Sequence, residues 1–340
     1  MFNPAQRWLG GALAGLGILS SNGAHAQTLE IYGLIGGYVG TIKRSGDSES
    51  TRAINSGGLQ TSYLGFRGKE DLGGGTKAIF SLESFFRADT GEQGRNATDP
   101  LFSRNAWVGL ESHLGRLTLG RQTNPTYVAT GQLSPFGISV VFSPLVLQTF
   151  VAAYGSNIVG DTVWNNVIQY ASPEISGFKA AVVYGLGEVQ GQEGLANLGL
   201  HTTYRKGKLF AALSAQRVRV NVFTVLPEQQ KALLGGATYD FGKVKVYGST
   251  SYTRIEGVRK NRLYDLGLSI SVSAAGSFLM EVARTDVEIP GAADTYRMTS
   301  TAGYDYRLSR RTDVYVIYSH DKRSNAGSAG SAAVAIRHLF

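Results

Sequence analysis

The sequence predicts an all-β chain, a 16-stranded antiparallel transmembrane β-barrel, on three observations. Apolar and polar residues alternate with period two along most of the chain, as on strands whose two faces meet different surroundings. The connections between alternating stretches are short and long in turn, as in an up-and-down barrel with turns on one rim and loops on the other. Beyond the N-terminal leader no run of about 18 apolar residues offers a membrane helix.

The first element read along the chain is not a strand. Residues 1–26 carry Arg7, an apolar run from Trp8 to Leu19 and the small-x-small triplet Ala24-His25-Ala26 before Gln27. This is the pattern of a secretory signal peptide cut after Ala26, and residues 27–340 are expected to form one barrel without linkers. The chain holds 44 glycines, 8 prolines and no cysteine, so thiol catalysis and thiolate metal sites are excluded. Its formal charge is +8, or one less without Arg7. The basic residues stand singly among aromatic and small residues, which speaks against nucleic acid as a partner.

The strands come next. From Leu263, the residues Tyr264, Leu266, Leu268, Ile270 and Val272 alternate with Asp265, Gly267, Ser269 and Ser271. Residues 243–253 set Lys245, Tyr247, Ser249 and Ser251 against Val244, Val246, Gly248 and Tyr252, and the C-terminus sets Val334, Ile336, His338 and Phe340 against Ala335, Arg337 and Leu339. Short turns fall at 113–115, 205–208, 240–242, 274–276 and 308–311. Long polar connections fall at 43–58, 88–100, 188–196, 221–230, 255–262, 288–294 and 321–331. Strand starts near Leu29, Leu59, Thr76, Phe102, Arg116, Asn166, Phe178, Ala196, Leu209, Lys231, Lys243, Leu263, Ser277, Thr295, Thr312 and Ala332 make an even set with both ends on the short-turn side. Aromatics flank the turns, Tyr204 with Phe210, Tyr239 with Phe241 and, around the turn at 172–177, Tyr170 with Phe178, as a girdle at a membrane interface would.

Six segments carry a resemblance to a known family: IYGLIGGYVG from Ile31, LGFRGKEDLGGGTKAIFSLESFF from Leu64, SRNAWVGLESHLGRLTLGRQ from Ser103, NVIQYASPEISGFKAAVVYGLGE from Asn166, GYDYRLSRRTDVYVIYSH from Gly303 and IRHLF from Ile336. Together they resemble the general trimeric porins of Gram-negative bacteria, in particular the betaproteobacterial branch. The resemblance implies a homotrimer in the outer membrane, in contact with its lipid. It also implies a long third loop folded into each lumen to narrow it. Here that loop runs over about residues 123–165, far beyond an ordinary connection. Its Ser134-Pro135-Phe136-Gly137 is similar to the family's proline-glutamate-phenylalanine-glycine turn with the acid replaced. Asp161 is its single carboxylate, and Val140, Val141, Phe142, Leu145, Val146, Leu147, Phe150 and Val151 make it apolar.

Similar porins face that loop with arginines, and Arg104 falls on one such position. Two others are changed, to Tyr63 and Val163. Arg67 shares the parity of Tyr63, and Glu83 matches an inward acid. The expected constriction is therefore Arg104, Arg67, Tyr63, Glu83, Pro135, Phe136 and Val163, with Arg104 also open to an ion pair with Glu83. Arg121, with the parity of Leu117 and Leu119, is expected at a subunit contact, as are the strands at 31–40 and 104–119. Trp107 and Phe66 are expected to face lipid or the interface, and Arg95 to be an exposed loop residue. Phe340 is expected to anchor the last strand and serve as an assembly signal.

Enzymatic readings find little material. His25, His113, His201, His320 and His338 lack metal-ligand spacing, and His320 between Ser319 and Asp321 is the one catalytic candidate. Gly73-Gly74-Gly75 sits in a β-turn and not before a helix, which excludes a phosphate loop. The expected function is passive diffusion of small hydrophilic solutes and ions with mild anion preference, no enzymatic activity and no cofactor. The alternatives are a channel for small aromatic or amphipathic acids, argued from the apolar third loop, and a barrel adhesin or receptor without an open pore.

Overall fold

The computed structural model describes residues 28–188, 190, 194, 196–220 and 228–340. The signal-peptide reading of residues 1–26 lies outside them, as do parts of the loops at 188–196 and 221–230. The chain opens with strands β1 (Thr28–Ile42), β2 (Thr51–Ser56), β3 (Tyr63–Gly73), β4 (Thr76–Phe85), β5 (Asn105–Ser112) and β6 (Gly115–Thr123). Two short helices follow, α1 (Pro125–Gln132) and α2 (Pro144–Phe150). The remaining strands are β7 (Val163–Ala171), β8 (Phe178–Gly185), β9 (Asn197–Lys206), β10 (Leu209–Val220), β11 (Glu228–Asp240) and β12 (Val244–Ile255). Then come β13 (Arg259–Ser271), β14 (Gly276–Glu288), β15 (Thr295–Arg307), β16 (Thr312–Arg323) and β17 (Ser328–Leu339).

Seventeen segments make sixteen wall positions. One edge of β1 pairs with β17, from Leu34↔Leu339 to Thr41↔Ala332. Its other edge is shared, with Gly37 to Ile42 bonded to β2 and Thr28 to Leu34 bonded to β3. β2 and β3 are thus one barrel strand broken at residues 57–62. Gly57 and Gly58 permit the break, with φ of +88° and +122°, and a Cβ at Gly58 would fall 2.0 Å from Tyr315 Oη. Every other strand pairs antiparallel with its sequence neighbours, so the sheet closes on itself and leaves no free edge.

Thirteen-residue strands such as β13 span about 43 Å at about 3.3 Å per residue, and a tilt of about 40° leaves roughly 33 Å of height, enough for the apolar band of a membrane. The alternation decides the faces. Tyr264, Leu266, Val316, Tyr318, Val334 and Ile336 are exposed, while their neighbours Asp265, Tyr315, Ser319 and Ala335 are buried inward. Several strands begin three or four residues earlier than expected from the sequence, at Glu228, Arg259 and Ser328, because pairing continues past the apolar band into the loops. At the short-turn rim Phe178 stacks near Tyr204, Tyr239 near Phe241 and Phe278 near Tyr304. Phe210 departs from the expected girdle. It is 5% exposed and points inward under the guanidinium of Arg205, since its strand's outward positions are taken by residues such as Leu213. The turn at Gly73-Gly74-Gly75 needs glycine three times over, with φ of +83°, +60° and +76°.

Candidate functional site

On the inner wall of β3 to β5 a carboxylate collects three donors. Glu83, 4% exposed, is reached by the Tyr32 hydroxyl, by Arg104 Nη1 at 2.5 Å and by the amide of Asn105. The Arg104 guanidinium also lies 4.1 Å from the centre of the Tyr63 ring. The cation is therefore fixed on both sides, by a charged hydrogen bond and by a ring face. The structure brings together Arg104, Tyr63 and Glu83, and adds Tyr32 and Asn105, which the sequence reading did not single out. Tyr32 could have been found from its parity with Glu30 on β1.

Arg67 faces the same interior at a different height. It lies four residues below Tyr63 on β3, about 13 Å nearer the short-turn rim, and bonds Glu30 twice at 2.8 and 2.7 Å. Its guanidinium covers the Tyr32 ring at 4.6 Å. Val163 begins β7 opposite Thr123, where the long loop rejoins the wall, and is 3% exposed.

The loop itself packs against the inward side of the sheet. Asn124 caps α1 through Thr126 N (2.9 Å) and Ser143 caps α2 through Val146 N (3.2 Å), each followed by proline at the helix start. Ser134 Oγ donates to Glu281 on β14 at 2.9 Å, and Gly137, with φ of +61°, bonds back to Ser134 O. Pro135 lies so close to β13 that a Cβ at Gly267 would fall 2.7 Å from its Cδ. Phe136 and Phe142 are buried with Tyr38, Leu279 and Ile317, while Leu145, Val146 and Leu147 are at most 1% exposed. Gln148 bonds Ala283 O and Thr299 Oγ1, both at 2.9 Å, and Asn157 bonds Thr285 Oγ1 at 2.6 Å. The loop is apolar because it has a wall to pack on; these side chains are not presented to solvent.

The far end of the loop is clamped by charge. Arg95 bonds Asp99 and, with both Nη atoms, Asp161 at 2.8 and 3.0 Å. It is a partly buried hub between two loops and not the exposed residue expected from sequence, because its partner lies 66 positions away. Burial pushes the Asp161 carboxyl up, but the hydrogen bonds and charge of Arg95, with the charge of Arg121, outweigh it and hold it below the usual carboxylate range. Arg121 also donates to Ser103 O at 2.9 Å and Asn165 Oδ1 at 2.5 Å.

Two other expectations change. Trp107 faces the interior, since it pairs between Ser81 and Gly120 while Val108 and Leu110 are 58% and 50% exposed. Arg104 and Trp107 can both face the interior although three residues apart, because β5 begins at Asn105, after the turn that delivers Arg104. Around His320, Ser319 and Asp321 turn inward to Thr301 and Arg297, while the histidine lies on the other face, so no triad forms. Phe340 closes the wall by exchanging backbone bonds with Gly33 at 3.1 and 3.2 Å, its ring lying over that glycine.

Comparison with known proteins agrees with this architecture over almost the whole chain. The chain is 29% identical over 333 residues to the outer membrane porin protein 32 of Delftia acidovorans, covering 95% of this chain and 92% of that one. It is 27% identical over 327 residues to an outer membrane porin protein of Bordetella pertussis, covering 82% of each. A solved anion-selective porin from Comamonas acidovorans superposes with a TM-score of 0.79 at 26% identity, over 93% of this chain and 100% of that one. A sequence profile described as Gram-negative porin matches residues 12–326, and with the closed sixteen-position barrel it establishes that this chain belongs to the Gram-negative porin family, the channels of the outer membrane.

Proposed function

We propose that the chain is a passive channel for small hydrophilic solutes and ions with a mild preference for anions, narrowed between the loop at 124–162 and the wall of β3 to β5. The observation that carries this reading is the Arg104 cation held on the inner wall between Glu83 and the Tyr63 ring. The formal charge of +8 and the likeness to a porin known as anion-selective support the sign. Tyr63 and Glu83 complete the proposed constriction, Pro135, Phe136 and Val163 seat the loop against the wall without facing the passage, and Arg67 acts from the vestibule below. The preference is mild because Glu83 and Glu30 each partner one of the two arginines.

The working unit is proposed to be a homotrimer. Ile31 and Val39 on β1, and Val108, Leu110, Leu117 and Leu119 on the adjacent β5 and β6, are apolar and exposed on the outer face, with Arg121 near the loop end of β6. The apolar third loop gives no support to a channel dedicated to amphipathic acids, since its large side chains are buried against the wall. Single-channel recording across a KCl gradient tests the function. Stable steps with a reversal potential on the anion side are expected, and Arg104→Glu should move it towards cations. A folded barrel without steps would sink the channel reading and favour an adhesin, and a monomeric mass in mild detergent would sink the trimer.

A further inference from the structure

Trp107 has no place in a channel that only sieves polar solutes. It projects into the lumen on the short-turn side of the Arg104 cluster, and an indole there keeps apolar surface against water. It borders a recess of ≈ 400 Å³ whose lining includes Trp107, Arg116, Gln122, Gln169 and Lys179, with Val128 of α1 as its lid-side wall. That is the size range of small-molecule sites.

The charges in the recess differ from those elsewhere in the lumen. The Arg116 guanidinium lies 5.7 Å from the Trp107 ring centre and has no ion pair among the described residues. Glu111, its cross-strand neighbour, is instead 3.8 Å from Lys69. Among the described residues Lys179 pairs with the exposed Glu174 at 3.4 Å, a pair that water screens. Arg67 and Arg104, by contrast, each hold a carboxylate. Gln122 and Gln169, both buried, each leave one amide atom without a protein partner. A ring face beside two weakly compensated cations fits a flat anion.

We propose that this recess is a binding subsite for aromatic carboxylates, the ring stacking on Trp107 and the carboxylate meeting Arg116 and Lys179. The proposal rests on the channel reading and names one class of solute that the channel retains in passing. From the third loop it takes α1 as a wall, and it makes no use of the loop's buried apolar residues such as Phe142 and Leu145.

The test uses the purified full-length protein in planar bilayers, with benzoate and cyclohexanecarboxylate as probes of equal charge and similar size. KCl conductance is recorded first; folded protein without steps would bring down the channel reading, and this proposal with it, before any acid is added. With steps present, benzoate should depress the chloride current saturably and cyclohexanecarboxylate should do so less. Trp107→Ala should raise the half-blocking benzoate concentration about fivefold, the scale of one stacking contact, and Trp107→Phe should restore most of it. Arg116→Gln should weaken both acids together. Unsaturable benzoate, equal action of the two acids, or an unchanged benzoate block in correctly folded Trp107→Ala would each overturn the subsite.

Discussion

Glu83→Gln should make the channel more anion-selective, although it removes a charge from a side chain that solute hardly touches. Arg104 Nη1 and Glu83 Oε2 are 2.5 Å apart, so a passing ion meets a short dipole and not a lone cation. For an anion about 6 Å from the guanidinium and about 8.5 Å from the carboxylate, attraction is about 2.8 kcal/mol and repulsion about 2.0 kcal/mol at an effective dielectric of about 20. Screening over about 10 Å at 0.1 M salt reduces these to about 1.5 and 0.8 kcal/mol. Removing the carboxylate charge therefore favours chloride by about 0.8 kcal/mol, roughly fourfold, while Gln keeps one acceptor oxygen, enough for Tyr32 or for Asn105 and Arg104 but not for both positions. Arg104→Gln acts the other way by about 1.5 kcal/mol, roughly tenfold. Reversal potentials in a tenfold KCl gradient report both, and the effect of each should shrink at 1 M salt. If Glu83→Gln leaves the reversal potential unmoved, or shifts it towards cations, in a barrel with unchanged circular dichroism, then the ion path does not pass this cluster.

Three further outcomes are expected. Gly267→Val should push Pro135 off β13, where even a Cβ would fall 2.7 Å from its ring, and change single-channel conductance while the barrel's β-signal persists; unchanged conductance would separate the turn from the pore. Deleting Phe340 removes two backbone bonds and the ring over Gly33, so folded protein in the outer membrane should fall severalfold, as read by fractionation; wild-type levels would refute its role in closure. Asp161 has a depressed acid range, so its clamp to Arg95 contributes fully above the ordinary carboxylate range and is lost only as pH falls below it. Channel noise should therefore stay low down to about pH 4 in wild type and be high at every pH in Arg95→Gln; equal noise in the two would show that the clamp does not steady the loop.

The alternation that made the strands legible is a property of two faces, and it failed where a face was not set by the strand. Val108 and Leu110 turn to lipid, which forces Trp107 inward, but parity counted from Arg104 gives the opposite answer because Arg104 precedes the strand. The break at 57–62 left no trace in the period either, since β2 falls inside a stretch that reads as a polar loop. Glu83 and Arg104 could be paired from neighbouring strands, a local geometric inference. Arg95 with Asp161 and Ser134 with Glu281 could not, because separations of 66 and 147 residues are fixed only by how the loop lies inside the closed barrel.

That same separation sets an order of events. The loop at 124–162 has internal bonds such as Tyr127 to Ile138 O, but it is anchored to the wall by Gly58 O through Ser139, by Glu281 through Ser134 and by Thr299 through Gln148, groups drawn from both ends of the chain. These anchors join groups 81 to 151 residues apart, and contacts so distant in sequence are expected to form after the local strand pairs. If the loop forms the proposed constriction, that constriction is expected to set after the wall, and a barrel with its loop unseated is expected to be a wider, leakier pore. Half-barrels and chain fragments would present the right residues and no constriction at all.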